Sequence, residues 1–81
     1  MNSSRAKHFS CIANALEFAN NMLVVTLVDG RIIGVPLDYF PVLRDADEND
    51  RNSWRFIGGG IGIHWQTLDE DISVEGLLKM N

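Results

Sequence analysis

The stretch IGGGIGIHWQTLDEDI, residues 57–72, gathers most of the side chains that could do chemistry. His64 lies shortly before Asp69 and Asp71. A histidine hydrogen-bonded to a carboxylate can exchange protons near neutral pH, so His64 with Asp69 or Asp71 is a candidate acid–base pair. Asp69, Glu70 and Asp71 are candidate oxygen donors to a hard cation. Gly58-Gly59-Gly60-Ile61-Gly62 is a candidate phosphate loop.

Each reading lacks a required part. A Walker loop needs a lysine and a hydroxyl residue after its last glycine, and here Ile61 follows Gly60. The dinucleotide fingerprint must open a helix, whereas Ile63-His64-Trp65 has the composition of a strand. A closed zinc site needs four regularly spaced ligands; His8, His64 and Cys11 are the only nitrogen or sulfur donors. No nucleophile is paired with a base, so a catalytic centre is not expected, nor a cofactor or metal. The glycines read as turn or bulge residues that let backbones approach closely.

The elements around this stretch follow from pattern. Residues 8–19 alternate loosely, which fits two short strands or one with an irregular joint; a helix over 13–18 is the alternative. Asn20-Asn21 predicts a turn, since asparagine tolerates positive φ. MLVVTLV (22–28) and RIIGV (31–35) are strands flanking Asp29-Gly30, a hairpin signal in which both turn residues are able to take φ > 0. Pro36 closes the second strand. Leu37, Tyr39 or Phe40, Val42 and Leu43 recur at helical spacing, predicting a Pro-interrupted helical segment over 37–45 with Pro41 in a first turn. A second helix, capped by Asp45 or Asp47, is expected over 47–53. Strands follow at 53–58 and 61–65, then a Ser73-capped helix over 74–80. The class is α+β: a small antiparallel sheet with two or three short helices on one side.

The chain has 81 residues, one domain's worth, with residues 1–7 expected to form a flexible N-terminus. A chain this short buries only about 60% of its unfolded surface, which leaves room for a partner to add burial. The net charge of −4 is unevenly spread: residues 45–81 carry eight acidic and three basic side chains. That half is a poor match for phosphate backbones, and no helix-turn-helix pattern or basic helix is present, so autonomous nucleic-acid binding is not expected. It suits a basic protein partner. The single cysteine, Cys11, excludes an internal disulfide and fits a cytoplasmic setting. No apolar run reaches membrane-helix length, and MNSSRAKHF shows no secretory signal.

Three segments, LVVTLVDGRIIGVPLDYFPVL (23–43), WRFIGGGIGIHW (54–65) and LDEDISVEGLL (68–78), resemble the bacterial family called domain of unknown function 2442. Gln66 stands where that family usually has proline after His-Trp, and Val42 where a polar residue usually follows Phe-Pro. The resemblance implies a small α+β domain, free-standing or fused to a helix-turn-helix domain. It further implies an antitoxin-like role beside a small toxin-like protein of the family called domain of unknown function 4160. The alternative is a ligand- or DNA-linked regulatory domain. For direct binding, Tyr39, Phe40, Trp54 and Trp65 are the candidate aromatic anchors and Asp69, Glu70 and Asp71 the candidate acidic contacts. Core packing is the competing reading for each aromatic, and an ion pair of Arg31 with Asp69–Asp71 is the competing reading for the acids. A free edge on so small a sheet would also admit a homodimer.

Overall fold

The computed structural model describes residues 11–80; the expectation for residues 1–7, and the start of the alternating pattern at residues 8–10, lie outside them. The class is α+β, with the strands divided between two antiparallel three-stranded sheets. Sheet A holds β1 (Ala13–Ala19), β2 (Met22–Leu27) and β3 (Ile32–Pro36), in that order. Residues 13–18 are therefore strand, with a bulge between Ala13 and Ala15. Asn20 and Asn21 take φ of 55° and 61° and join β1 to β2 in a two-residue turn that pairs Ala19 with Met22. The twist of such a turn matches that of the strands it joins.

The β2–β3 connection differs from expectation. Of Asp29 and Gly30, only Gly30 lies at positive φ (97°). The loop is three residues long: Leu27 N–H donates to Arg31 O (2.8 Å) and Gly30 N–H to Leu27 O (2.9 Å). The Asp29 carboxylate explains the change. It accepts the Arg31 backbone N–H at 3.0 Å and the Arg31 Nε–H at 2.9 Å, an arrangement a two-residue turn has no room for.

Sheet B holds β4 (Trp54–Ile57), β5 (Gly62–Trp65) and β6 (Glu70–Ser73). Sequence reasoning misses β6. Its residues Glu70, Asp71 and Ser73 are polar, and only Ile72 is buried, so no apolar alternation marks it. Gly58, Gly59 and Gly60 turn the chain between β4 and β5 at φ of 61°, 71° and 108°. Gly60 also ties the sheets together: its carbonyl accepts the Ala13 N–H at 2.8 Å. A Cβ there would lie 2.6 Å from the Ala13 carbonyl oxygen.

The helical pieces are short. Leu37–Tyr39 forms a 3-10 turn, α1 spans Pro41–Arg44 and α2 spans Glu48–Arg51. The Pro-interrupted segment expected over 37–45 forms, with Pro41 in the first turn of α1, and its interruption falls at Phe40 (φ −131°, ψ 78°), because a residue before proline is kept out of the helical region. Asp47 caps α2, accepting the Asp50 N–H at 2.8 Å. Ser73 likewise caps α3 (Val74–Met80) through the Gly76 N–H. One core results. Leu23, Val25, Leu27, Ile33 and Val35 of sheet A meet Ile63, Trp65 and Ile72 of sheet B, with Leu37, Leu43, Val74 and Leu77 closing the ends.

Two outcomes follow. Gly59→Ala meets no atom and should cost only the left-handed strain, about 1–2 kcal/mol. Gly60→Ala adds the collision with Ala13 and should cost about 3 kcal/mol or more, read from urea denaturation of both variants. Separately, the Arg31 backbone N–H holds the Asp29 carboxyl below the usual carboxylate range. A depressed folded pKa contributes stability above the ordinary aspartate pKa and loses it as pH falls through the lower value. Asp29→Asn should therefore flatten the acid limb of stability against pH, leaving an NMR titration with one fewer low-titrating carboxyl.

Candidate interaction surface

Seven side chains were candidates for partner contact, and the fold does not bring them to one surface. Trp65 is fully buried. Its indole N–H donates to the Arg51 carbonyl at 2.8 Å, so it serves the core and not a partner. Arg51 in turn is fixed from its other end. Its Nε–H donates to Leu43 O (3.0 Å), and Nη2 donates to Arg44 O (2.9 Å) and Ala46 O (3.1 Å). The guanidinium also lies over the Phe18 ring, 5.8 Å from its centre. One side chain thus satisfies the last carbonyls of α1, packs on β1 and orients the backbone that receives Trp65.

Trp54 is half-buried and tilts against Phe56 at a ring separation of 5.0 Å. Phe40 is half-buried against the core, while Tyr39 is 58% exposed at the end of the 3-10 turn. Asp69 sits in the β5–β6 turn at φ 52°. Glu70 is half-buried and registers with Trp65, which pairs with Trp54 on its other side. Asp71 belongs to the opposite face, in the cross-strand row Arg55–His64–Asp71. There His64 Nδ1 and Asp71 Oδ1 are 2.6 Å apart. Of the two acid–base pairings considered, only His64 with Asp71 forms. Arg31 bonds Asp29, so the ion pair expected with Asp69–Asp71 is not what holds it.

A different surface does assemble. Side chains alternate across a sheet, and the outer face of sheet A carries Ala15, Ala19, Met22, Val24, Thr26, Ile32, Gly34 and Pro36, with Glu17 as its one charge. Among the described residues no element packs on this face; Ile32 is 68% exposed. An antiparallel sheet facing water normally shows polar residues there. The signal was present in MLVVTLV, an apolar run without alternation, which is the pattern of a strand covered on both sides. Beside this face, the free edge of β1 opens on a groove of about 510 Å³, bounded across from Leu16 and Phe18 by α2 and Trp54.

Among the described residues no group of three or more histidine, cysteine, aspartate or glutamate side chains could hold a metal ion, and no helix is long and apolar enough to cross a membrane. The Arg51 node makes a testable demand. Trp65→Phe leaves the Arg51 carbonyl without its donor and should cost about 1–3 kcal/mol. Arg51→Lys should cost a similar amount, because an ammonium donates from a single nitrogen and lacks the separate Nε and Nη2 positions from which the guanidinium reaches these carbonyls. If the two act through one node, the double variant measured by urea denaturation will cost less than the sum.

Comparison with known proteins agrees with this architecture. A protein of unknown function from Rhodospirillum rubrum, known from a crystal structure, is similar at 27% identity and a TM-score of 0.74, over 85% of this chain and 86% of that one. An uncharacterized protein from Chromobacterium violaceum, solved by solution NMR, is similar in fold at 20% identity and a TM-score of 0.73, over 94% of this chain and 71% of that one. No functionally curated protein matches the chain. The family model described as "Protein of unknown function (DUF2442)" matches residues 13–80, and the chain belongs to that family.

Proposed function

We propose that this protein is a non-catalytic binding module of the bacterial cytoplasm, the antitoxin-like partner of a small toxin-like protein in a two-gene bacterial or phage-borne system. The partner is proposed to be of the family called domain of unknown function 4160. The observation that carries the binding role is the apolar outer face of sheet A, on which no described element packs. Contiguous apolar patches on small proteins mark places where another molecule docks. On this reading the contact differs from the acidic–aromatic surface expected of the sequence. Val24 and Ile32 supply the apolar centre, Glu17 the acidic rim, and Trp65 no contact at all. The non-catalytic part of the reading is supported by how the polar groups are committed. The Ser73 hydroxyl accepts the Gly76 N–H as a helix cap, and among the described residues no hydroxyl or thiol is hydrogen-bonded to His64, so the His64–Asp71 pair has no nucleophile to activate.

Ile32→Lys is the discriminating variant. The site is solvent-facing, so stability should move by no more than about 0.5 kcal/mol. Tagged wild-type chain drawn from its native host should bring down one small protein near equal stoichiometry, identified by mass spectrometry. Ile32→Lys should lose it while keeping its melting temperature. Two outcomes would remove the proposal: no stoichiometric partner, or capture indifferent to both Ile32→Lys and Val24→Lys.

A further inference from the structure

We infer that the free edge of β1 and the groove beside it accept an extended strand of the partner with alternating apolar and basic side chains. The inference deepens the binding-module reading and rests on it for the identity of the partner as a protein. The argument begins with register. The two-residue Asn20-Asn21 turn makes Ala19–Met22 a hydrogen-bonded pair, and such pairs alternate along an antiparallel ladder. Ala19, Glu17 and Ala15 therefore bond to β2. The loop bond from Leu27 to Arg31 gives the complementary phase on the other side of β2, where Val25 and Leu23 bond to β3. The N–H and C=O groups of Leu16 and Phe18 consequently point out of the sheet. Among the described residues neither pair of groups takes a hydrogen bond. An edge of this kind is a template for one more strand.

Of the four sheet edges this one is best suited. It is the longest strand, at seven residues. The β3 edge ends in Pro36, which has no N–H, and packs against α3. β4 and β6 are four residues each. The β1 edge also has a built flank: the groove of about 510 Å³ lies between it and Glu48, Asn52 and Trp54.

The lining selects the occupant. A strand added to β1 would turn alternate side chains inward, onto Leu16, Phe18 and Trp54, which are half-buried and offer apolar surface. The intervening side chains would lie on the outer face beside Glu17, with Glu48 on the far rim. Arg51 lines the groove as well, but its guanidinium donates to three carbonyls of the chain. The groove lining thus sets the two carboxylates of Glu17 and Glu48 against the one guanidinium of Arg51, whose donors are already engaged, and the chain as a whole carries −4. Backbone bonds would supply affinity, and the alternating apolar and basic side chains would supply selection.

The test uses the full-length, nitrogen-15-labelled protein and three synthetic hexapeptides. One alternates valine and lysine, one alternates valine and glutamate, and one is the valine–lysine peptide N-methylated at alternate backbone positions. The valine–lysine peptide should shift amides in β1 and α2 and slow exchange of the Leu16 and Phe18 amides by about tenfold or more. The other two should do neither. Glu17→Lys combined with Glu48→Lys should reverse the charge preference, weakening the lysine peptide by about tenfold. Several results would overturn the inference. Leu16 and Phe18 amides already protected in dilute protein would mean that the chain covers its own edge. Protection rising with protein concentration would mean that a second copy does. Peptide shifts elsewhere, or none, would dismiss the groove. Partner capture from the host that survives when the peptides fail overturns the groove alone; peptide binding with no partner captured overturns the wider function and leaves the groove standing.

Discussion

The fold turns on Arg51. A 70-residue described body with three short α-helices and a 3-10 turn cannot rely on helix propensity, because four-residue helices such as α1 and α2 are far below the length at which helices persist alone. Something must hold their ends. Arg51 does so from the C-terminal end of α2 by donating to the carbonyls of Leu43 and Arg44 at the end of α1 and of Ala46 just beyond it. Its own carbonyl accepts the indole N–H of Trp65, the largest fully buried side chain. The centre of sheet B and the connection from sheet A to sheet B are therefore registered through one residue. The ring of Phe18 beneath the guanidinium adds β1 to the same node.

What sequence reasoning could and could not reach follows from the range of the interactions involved. Local chemistry was legible. The Asn20-Asn21 turn, the Asp47 and Ser73 caps, and the strands around residues 22–27 and 62–65 each depend on a few neighbouring residues. The proline rule that breaks the helical segment at Phe40 is equally local, and it was legible in the placement of Pro41. Longer-range choices were not legible. Nothing in residues 69–73 marks a strand, since β6 pairs by backbone and buries one apolar side chain. Nothing in the sequence singles out Arg51, because its partners are carbonyls, which every residue has. The Asp29 carboxylate redirected a turn by bonding two residues ahead, a competition that spacing alone does not decide.

The surface was partly legible for a related reason. Aromatic residues draw attention as anchors, yet Trp65 is the residue the core needs most. The informative feature was a scarcity of polar residues at the outward positions of β2, where Met22 and Val24 accompany Thr26. Sheet A is dressed for cover on both sides, and the chain's own second sheet covers only one. The acids singled out in LDED divide between a turn, a half-buried row and the His64 pair, so their sequence density does not translate into one acidic patch. Acidic character that faces a groove comes instead from Glu17 and Glu48, far apart in sequence and unremarkable in it.

The strand order has a bearing on how the chain is made. Every strand pairs only with its neighbour in sequence, β1-β2-β3 and then β4-β5-β6. Such wiring keeps loop closures short, and short closures make for rapid folding. It also imposes an order during synthesis. Sheet A is complete by Pro36, whereas the Gly60 carbonyl that anchors Ala13, and the Trp65 that lies against the core, arrive much later. For that interval the nascent first meander is apolar on both faces, a state that invites premature association. Arrival of the second meander buries one face by docking within the chain. Among the described residues nothing covers the other, so the earliest-formed part of the protein is also the part with the most apolar surface still to bury.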